Sequence, residues 1–134
     1  MTLRKENWPD LLAEYVDKRR KEPFAWGSND CCLFAADWVQ ACTGTDYASA
    51  WRGRYTGKLG AARFLDEAGG LGALVDSLGL ERVLPSQAGR GDVVMQEAGR
   101  GPSLGICLGA STAFVNDNGL IFGAIKKVEK AWRI

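Results

Sequence analysis

The chain has 134 residues, 46% of them hydrophobic and 25% charged, and a formal net charge of +1. That length fits one domain able to bury its own core, and the balanced charge excludes a basic nucleic-acid binder. No apolar run reaches the roughly 20 residues of a membrane span, and the opening residues lack the apolar stretch of a signal peptide, so a soluble protein of a reducing compartment is expected.

Residues 8–21 read as an amphipathic helix. Pro9 suits the first helical position, Asp10 the positive end, and Leu11, Leu12, Tyr15 and Val16 recur at helical spacing. The basic run 18–21 offsets the negative end of the dipole, and Pro23 stops the helix. Ser28, Asn29 and Asp30 are all N-cap types, so a second helix is expected from about Cys31 to Cys42, ending before Gly44. Its buried face is Leu33, Phe34, Trp38 and Val39. Residues 45–57 are aromatic, glycine-rich and irregular, and read as an ordered surface loop.

Helical patterns return at 58–68 and 71–78, stopped by Gly69-Gly70 and Gly79. Strands are expected at 81–84, 92–96, 103–109, 112–116, 119–122 and 125–133, with Asn118-Gly119 as a hairpin turn. Helices first and strands second make an α+β fold: N-terminal helices packed on a small C-terminal antiparallel sheet. One domain is expected over residues 1–134, helical over about 8–79 and sheet over about 80–134.

Cys31 opens the second helix, where the dipole and free N–H groups favour a thiolate, so it is the candidate nucleophile. The alternative is that Cys31 and Cys32 are small packing residues. The four cysteines (Cys31, Cys32, Cys42, Cys107) show no metal-ligand spacing, and the chain has no histidine, so neither a metal nor another cofactor is expected.

The order of motifs resembles the NlpC/P60 superfamily, papain-like cysteine peptidases of peptidoglycan stem peptides. Asp30-Cys31 matches the pair that opens the nucleophile helix. Gly91-Asp92-Val93-Val94 matches the following strand, and Ser103-Leu104-Gly105-Ile106-Cys107-Leu108-Gly109 the strand that begins with the catalytic histidine. Phe114-Val115-Asn116 matches a fourth element. More narrowly, Trp26-Gly27 through Asp37-Trp38, Arg52-Gly53-Arg54-Tyr55 and Ala131-Trp132-Arg133 resemble an uncharacterised family of phage and prophage proteins. The resemblance covers residues 24–134.

The resemblance implies a papain-like fold with Cys31, Ser103 and Asn116 at the catalytic positions. Ser103 stands where the family has histidine. A serine neither takes the thiol proton nor protonates the leaving amine near neutral pH, and Asn116 has no imidazole to orient. The three positions are therefore expected to be vestigial. Asp92 reads as a turn or strand-end anchor.

The expected role is a non-catalytic structural or assembly component of a phage or prophage tail, partnered by hub or tip proteins, made in the bacterial host cytoplasm and carried in the virion tail. Two alternatives stand beside it. One is a cysteine hydrolase acting on cell-wall peptides, with Cys31 as nucleophile and a base from another group. The other is a module that binds peptidoglycan fragments without chemistry. Trp51, Arg52, Arg54 and Tyr55, with Trp132, are the candidate interface, because tryptophan, tyrosine and arginine dominate binding hot spots.

Overall fold

Pro9 in the first turn, Asp10 behind it and Lys18 and Arg19 in the last turn frame α1 (Trp8–Arg19), which buries Leu12, Tyr15 and Val16. The computed structural model describes residues 3–99 and 101–134. The helix stops two residues short of the expected end. Its continuation is diverted to the sheet, where the Arg20 carbonyl accepts the Leu120 N–H at 2.9 Å.

The second helix, α2 (Cys31–Thr43), starts where its cap residues predict. Asp30 is extended and accepts the Leu33 N–H, and Gly44 closes the helix at φ +84°, a conformation that suits glycine. Eight of its residues are buried, so it forms the central helix of the chain. Two shorter helices follow, α3 (Lys58–Glu67) and α4 (Leu71–Asp76).

Six strands make one antiparallel sheet: β1 (Glu81–Val83), β2 (Val93–Glu97), β3 (Pro102–Cys107), β4 (Ser111–Asn116), β5 (Gly119–Ala124) and β6 (Lys130–Arg133). Their order is β1-β6-β2-β3-β4-β5, so the last strand lies inside the sheet, between β1 and β2. The expected strand over 125–133 is corrected. Its first part is a 3-10 turn, Ile125–Lys127, held by the Val128 N–H on the Ile125 carbonyl (3.1 Å), and only Lys130–Arg133 is strand. The strand expected over 103–109 ends at Cys107, because Leu108 N–H donates to Ser111 O (2.8 Å) and turns the chain.

Side chains alternate between the two faces of the sheet. Val93, Met95, Leu104, Ile106, Ala113, Val115 and Trp132 join the helices in the main core. Val94, Cys107, Phe114 and Ala131 point the other way and close a second cluster with Val83 and Val128. At Gly105 a Cβ would run into the Ala113 carbonyl oxygen and come within 2.7 Å of the Phe114 ring, so the strand needs glycine there.

Asp92, expected as an anchor, is 1% exposed and ties distant segments together. One of its oxygens accepts from Arg4 (2.8 Å) and from the Ile134 N–H (3.1 Å), and the other from the Gly89 N–H (2.9 Å).

Candidate functional site

Everything around Cys31 is organised by Asp30. Asn29 and Asp30 are both buried, and Asn29 is the knot that holds the preceding turn. Its amide donates to the Pro23 carbonyl at 2.9 Å, and its oxygen accepts from Arg19 at 3.0 Å. Asp30 then accepts three hydrogen bonds: from the Leu33 N–H (3.0 Å), the Gly27 N–H (3.0 Å) and the Tyr55 hydroxyl (2.8 Å). Gly27 lies at φ +80°, and a Cβ there would meet the Tyr55 carbonyl oxygen at 2.7 Å, so glycine lets the 45–57 loop close on the helix start.

Cys31 is the first residue of α2 and is half-buried, whereas Cys32 is buried. The Cys31 thiol is held below its ordinary value, first by a hydrogen bond from the Cys32 side chain and also by the Leu104 N–H, against burial and the Asp30 charge. Cys32 is pushed well above the ordinary thiol value by the same shared hydrogen bond and by burial. Of the two neighbouring thiols, Cys31 is therefore the one favoured to ionise. Leu104 belongs to β3, the strand that carries Ser103, so helix start and strand meet as the motif order implied.

The proton-accepting partner is what differs. The chain contains no histidine. All the acceptor directions that Asp30 uses point at structural donors, so it is a cap and not a free base. The Tyr55 hydroxyl is raised far above its usual range by burial and by the Asp30 charge, so it stays protonated.

Ser103 and Asn116 lie at the same end of the antiparallel β3–β4 pair, since β3 begins where β4 ends. Ser103 pairs across the ladder with Gln96, its side chain therefore leaves the sheet on the opposite side from Leu104, and its hydroxyl donates to the Gly101 carbonyl at 3.2 Å. Asn116 is used by the backbone. Its side-chain oxygen accepts the Asp117 N–H (2.8 Å), and its carbonyl accepts the Phe24 N–H (2.9 Å). Among the described residues there is no cluster of three or more His, Cys, Asp or Glu side chains able to hold a metal.

The candidate interface residues are placed differently from the expectation. Trp51 and Tyr55 are buried and stack on Phe64, with ring centroids 5.2 and 5.7 Å away. Arg52 is pinned between Asp37 (2.6 Å) and Asp46 (2.8 Å), and Asp37 also holds Arg19 at 2.7 Å. Trp132 is fully buried because β6 is an interior strand, and its indole N–H donates to Asp76 at 2.8 Å. Only Arg54 of this set is exposed. These aromatic residues complete the chain's own core, which corrects the view of them as a docking face.

Sequence reasoning missed the opposite shifts of the Cys31 and Cys32 thiols and the contributions of Leu104 and Tyr55. Adjacent cysteines at a capped helix start were a signal for the first. Nothing local signalled the other two. A surface cavity of about 570 Å³, lined by Arg4, Val39, Tyr47, Leu80 and Arg133 among others, lies at the other end of α2, far from Cys31. No helix is long and apolar enough to cross a membrane, among the described residues.

Among solved structures, the chain is similar to the NlpC/p60 domain of the peptidoglycan hydrolase SagA, with 15% identity and a TM-score of 0.58 over 93% of this chain and 97% of that one. That likeness establishes the fold: helices on a six-stranded antiparallel sheet of the NlpC/p60 type. No curated protein matches the sequence. The family model of a domain of unknown function, DUF6950, matches residues 3–134, and the chain belongs to that family.

Proposed function

We propose that this protein is a non-catalytic member of the NlpC/p60 fold, kept for contacts and not for peptide cleavage. The observation that carries this reading is the setting of Cys31: a sulfur at a helix start beside β3, with no imidazole in the chain and with Asp30 committed to three structural donors. Acid–base catalysis contributes roughly 10²–10⁴-fold in such reactions, so its loss leaves a thiol without turnover. In its narrower form the proposal is a structural or assembly component of a phage or prophage tail, near the hub or tip. That form rests on the sequence resemblance alone.

The test is incubation of the purified chain with muropeptides carrying tri- and tetrapeptide stems, followed by chromatography. No product above background is expected, and Cys31→Ala should be indistinguishable. Turnover that disappears in Cys31→Ala would refute the proposal. The tail assignment is tested separately by mass spectrometry of purified virions, which should contain the chain at fixed stoichiometry; its absence refutes that form.

One observation favours a second reading, a cysteine hydrolase that borrows its base from a partner. The Cys31 thiol is held below its ordinary value, as a nucleophile requires. Cleavage that appears only when a histidine-bearing partner is added would favour this reading. Saturable muropeptide binding without cleavage would favour a binding module.

A further inference from the structure

Two spaces adjoin α2. The outer one is the cavity of about 570 Å³ at its far end, a size typical of small-molecule sites. The inner one is a slot of about 30 Å³ lined by Cys32, Ala35, Ala36 and Val39 of α2 and by Leu74 and Val75 of α4. Residues 32, 35, 36 and 39 share one face of α2 by helical spacing, and the short side chains at 35 and 36 leave the room. Val39, Tyr47 and Leu80 line both spaces and form the neck between them.

Trp51 is a further wall of the slot. Its ring is buried, 6% exposed, and is held by its stack on Phe64 at 5.2 Å. Its indole N–H nevertheless has no acceptor among the described residues. Buried tryptophans ordinarily find one. Trp38 donates to the Gly91 carbonyl and Trp132 to Asp76, each at 2.8 Å. A ring held in this way does not turn to seek a partner, so the group that satisfies its N–H must come to it.

The charges around the outer cavity cancel. Arg4 is committed to the Asp92 carboxylate and to the carbonyls of Arg90 and Ile134. Arg133 donates to the Gln87 carbonyl, lies 3.8 Å from Asp92 and stands opposite Glu81 in the β1–β6 register. Two guanidiniums are matched by two carboxylates, which leaves no net charge there to select an ion.

We propose that the cavity and slot together bind an uncharged, mainly apolar small molecule ending in a carbonyl group, whose oxygen accepts the Trp51 N–H. The inference goes beyond the non-catalytic reading and makes no use of the Cys31 sulfur. The apolar body lies against Val39, Tyr47 and Leu80, and the slim carbonyl end enters the slot. A protonated amine is the wrong ligand, because it sets donors against the indole donor. A carboxylate is also wrong, because it buries a charge among apolar side chains.

The test uses the full chain, labelled for heteronuclear NMR, and benzylacetone, a phenyl ring joined through two methylenes to a methyl ketone. The assigned indole signals of the five tryptophans are the readout. Saturable binding with a Kd below about 1 mM is expected, with the largest downfield shift at the Trp51 indole proton. The amine of the same skeleton, and hydrocinnamate as the anion, should each bind roughly tenfold more weakly. Trp51→Phe keeps the ring and removes the donor, and should weaken ketone binding about fivefold. Leu80→Trp fills the neck and should abolish binding. If either variant fails to fold, the other decides. No saturable shift up to about 5 mM ketone, a shift that spares the Trp51 indole, equal binding of the amine or the anion, or full affinity in a folded variant would each overturn the proposal.

Discussion

Replacing Asp30 probes the helix start on which the Cys31 site is built. The Asp30→Ala change removes the cap of α2, a loss of about 1 kcal/mol. It also leaves the Gly27 N–H and the Tyr55 hydroxyl without the carboxylate they share, at about 1.5–3 kcal/mol each. The sum, roughly 4–7 kcal/mol, is comparable to the whole stability of many small proteins. Asp30→Asn keeps an oxygen for Leu33 but sets an amide against the Gly27 donor, and should cost about 2 kcal/mol. Tyr55→Phe deletes one bond and should cost about 1.5 kcal/mol. Urea unfolding followed by far-UV circular dichroism reads all three, with a common slope of about 1–3 kcal/mol per molar. The order Asp30→Ala, then Asp30→Asn, then Tyr55→Phe is the expected result. An Asp30→Ala protein within about 1 kcal/mol of the parent, or one more stable than Tyr55→Phe, would mean that Asp30 does not hold the loop to the helix.

Three other outcomes follow from the same geometry. Cys32→Ala should slow alkylation of Cys31 by iodoacetamide at pH 7 several-fold, because the thiolate loses its nearest donor, and Cys32→Ser should slow it less; a faster rate would contradict that role of Cys32. Ser103→His should leave that alkylation rate unchanged, since the side chain leaves β3 on the Gln96 side; acceleration would show that position 103 reaches the sulfur. Asp46 is held below the usual carboxylate value, first by its hydrogen bond from Arg52, so this contribution is present above the unfolded value near 3.9 and lost as pH falls through the folded one. Arg52→Met should therefore flatten the fall in stability between about pH 5 and pH 2, and an unchanged acid limb would refute the assignment.

The helical half was the more legible one, because its signals are local. The cap at Asp30 and the glycine stop at Gly44 bound α2 on both sides. The sheet was harder. A run such as 125–133 carries apolar residues, yet a carbonyl two strands earlier in the sequence, Ala110, takes the Ile125 N–H and bends the chain before β6 begins (3.2 Å). The insertion of β6 between β1 and β2 pairs residues 35 to 52 positions apart, which no local pattern records. At the site, the identity of the helix-start cysteine was readable, and so was the missing histidine. The inward turn of Trp51 and Tyr55 was not. Loop side chains have no period, and their destination, Phe64, is declared only by packing.

The Asp92 clasp has a consequence for how the chain comes apart. Arg4 and Ile134, the residue that follows β6, are 130 positions apart, yet both depend on one buried carboxylate oxygen. Pulling Arg4 away removes the nearest cation from that buried carboxylate and breaks the direct bond from the Arg4 Nε–H to the Ile134 carbonyl (2.8 Å), which weakens the hold on Ile134 in the same event. The two ends should therefore fray together and not independently, as one opening unit in hydrogen exchange. Arg4→Met should speed exchange at the Ile134 amide although the two residues share no stretch of sequence.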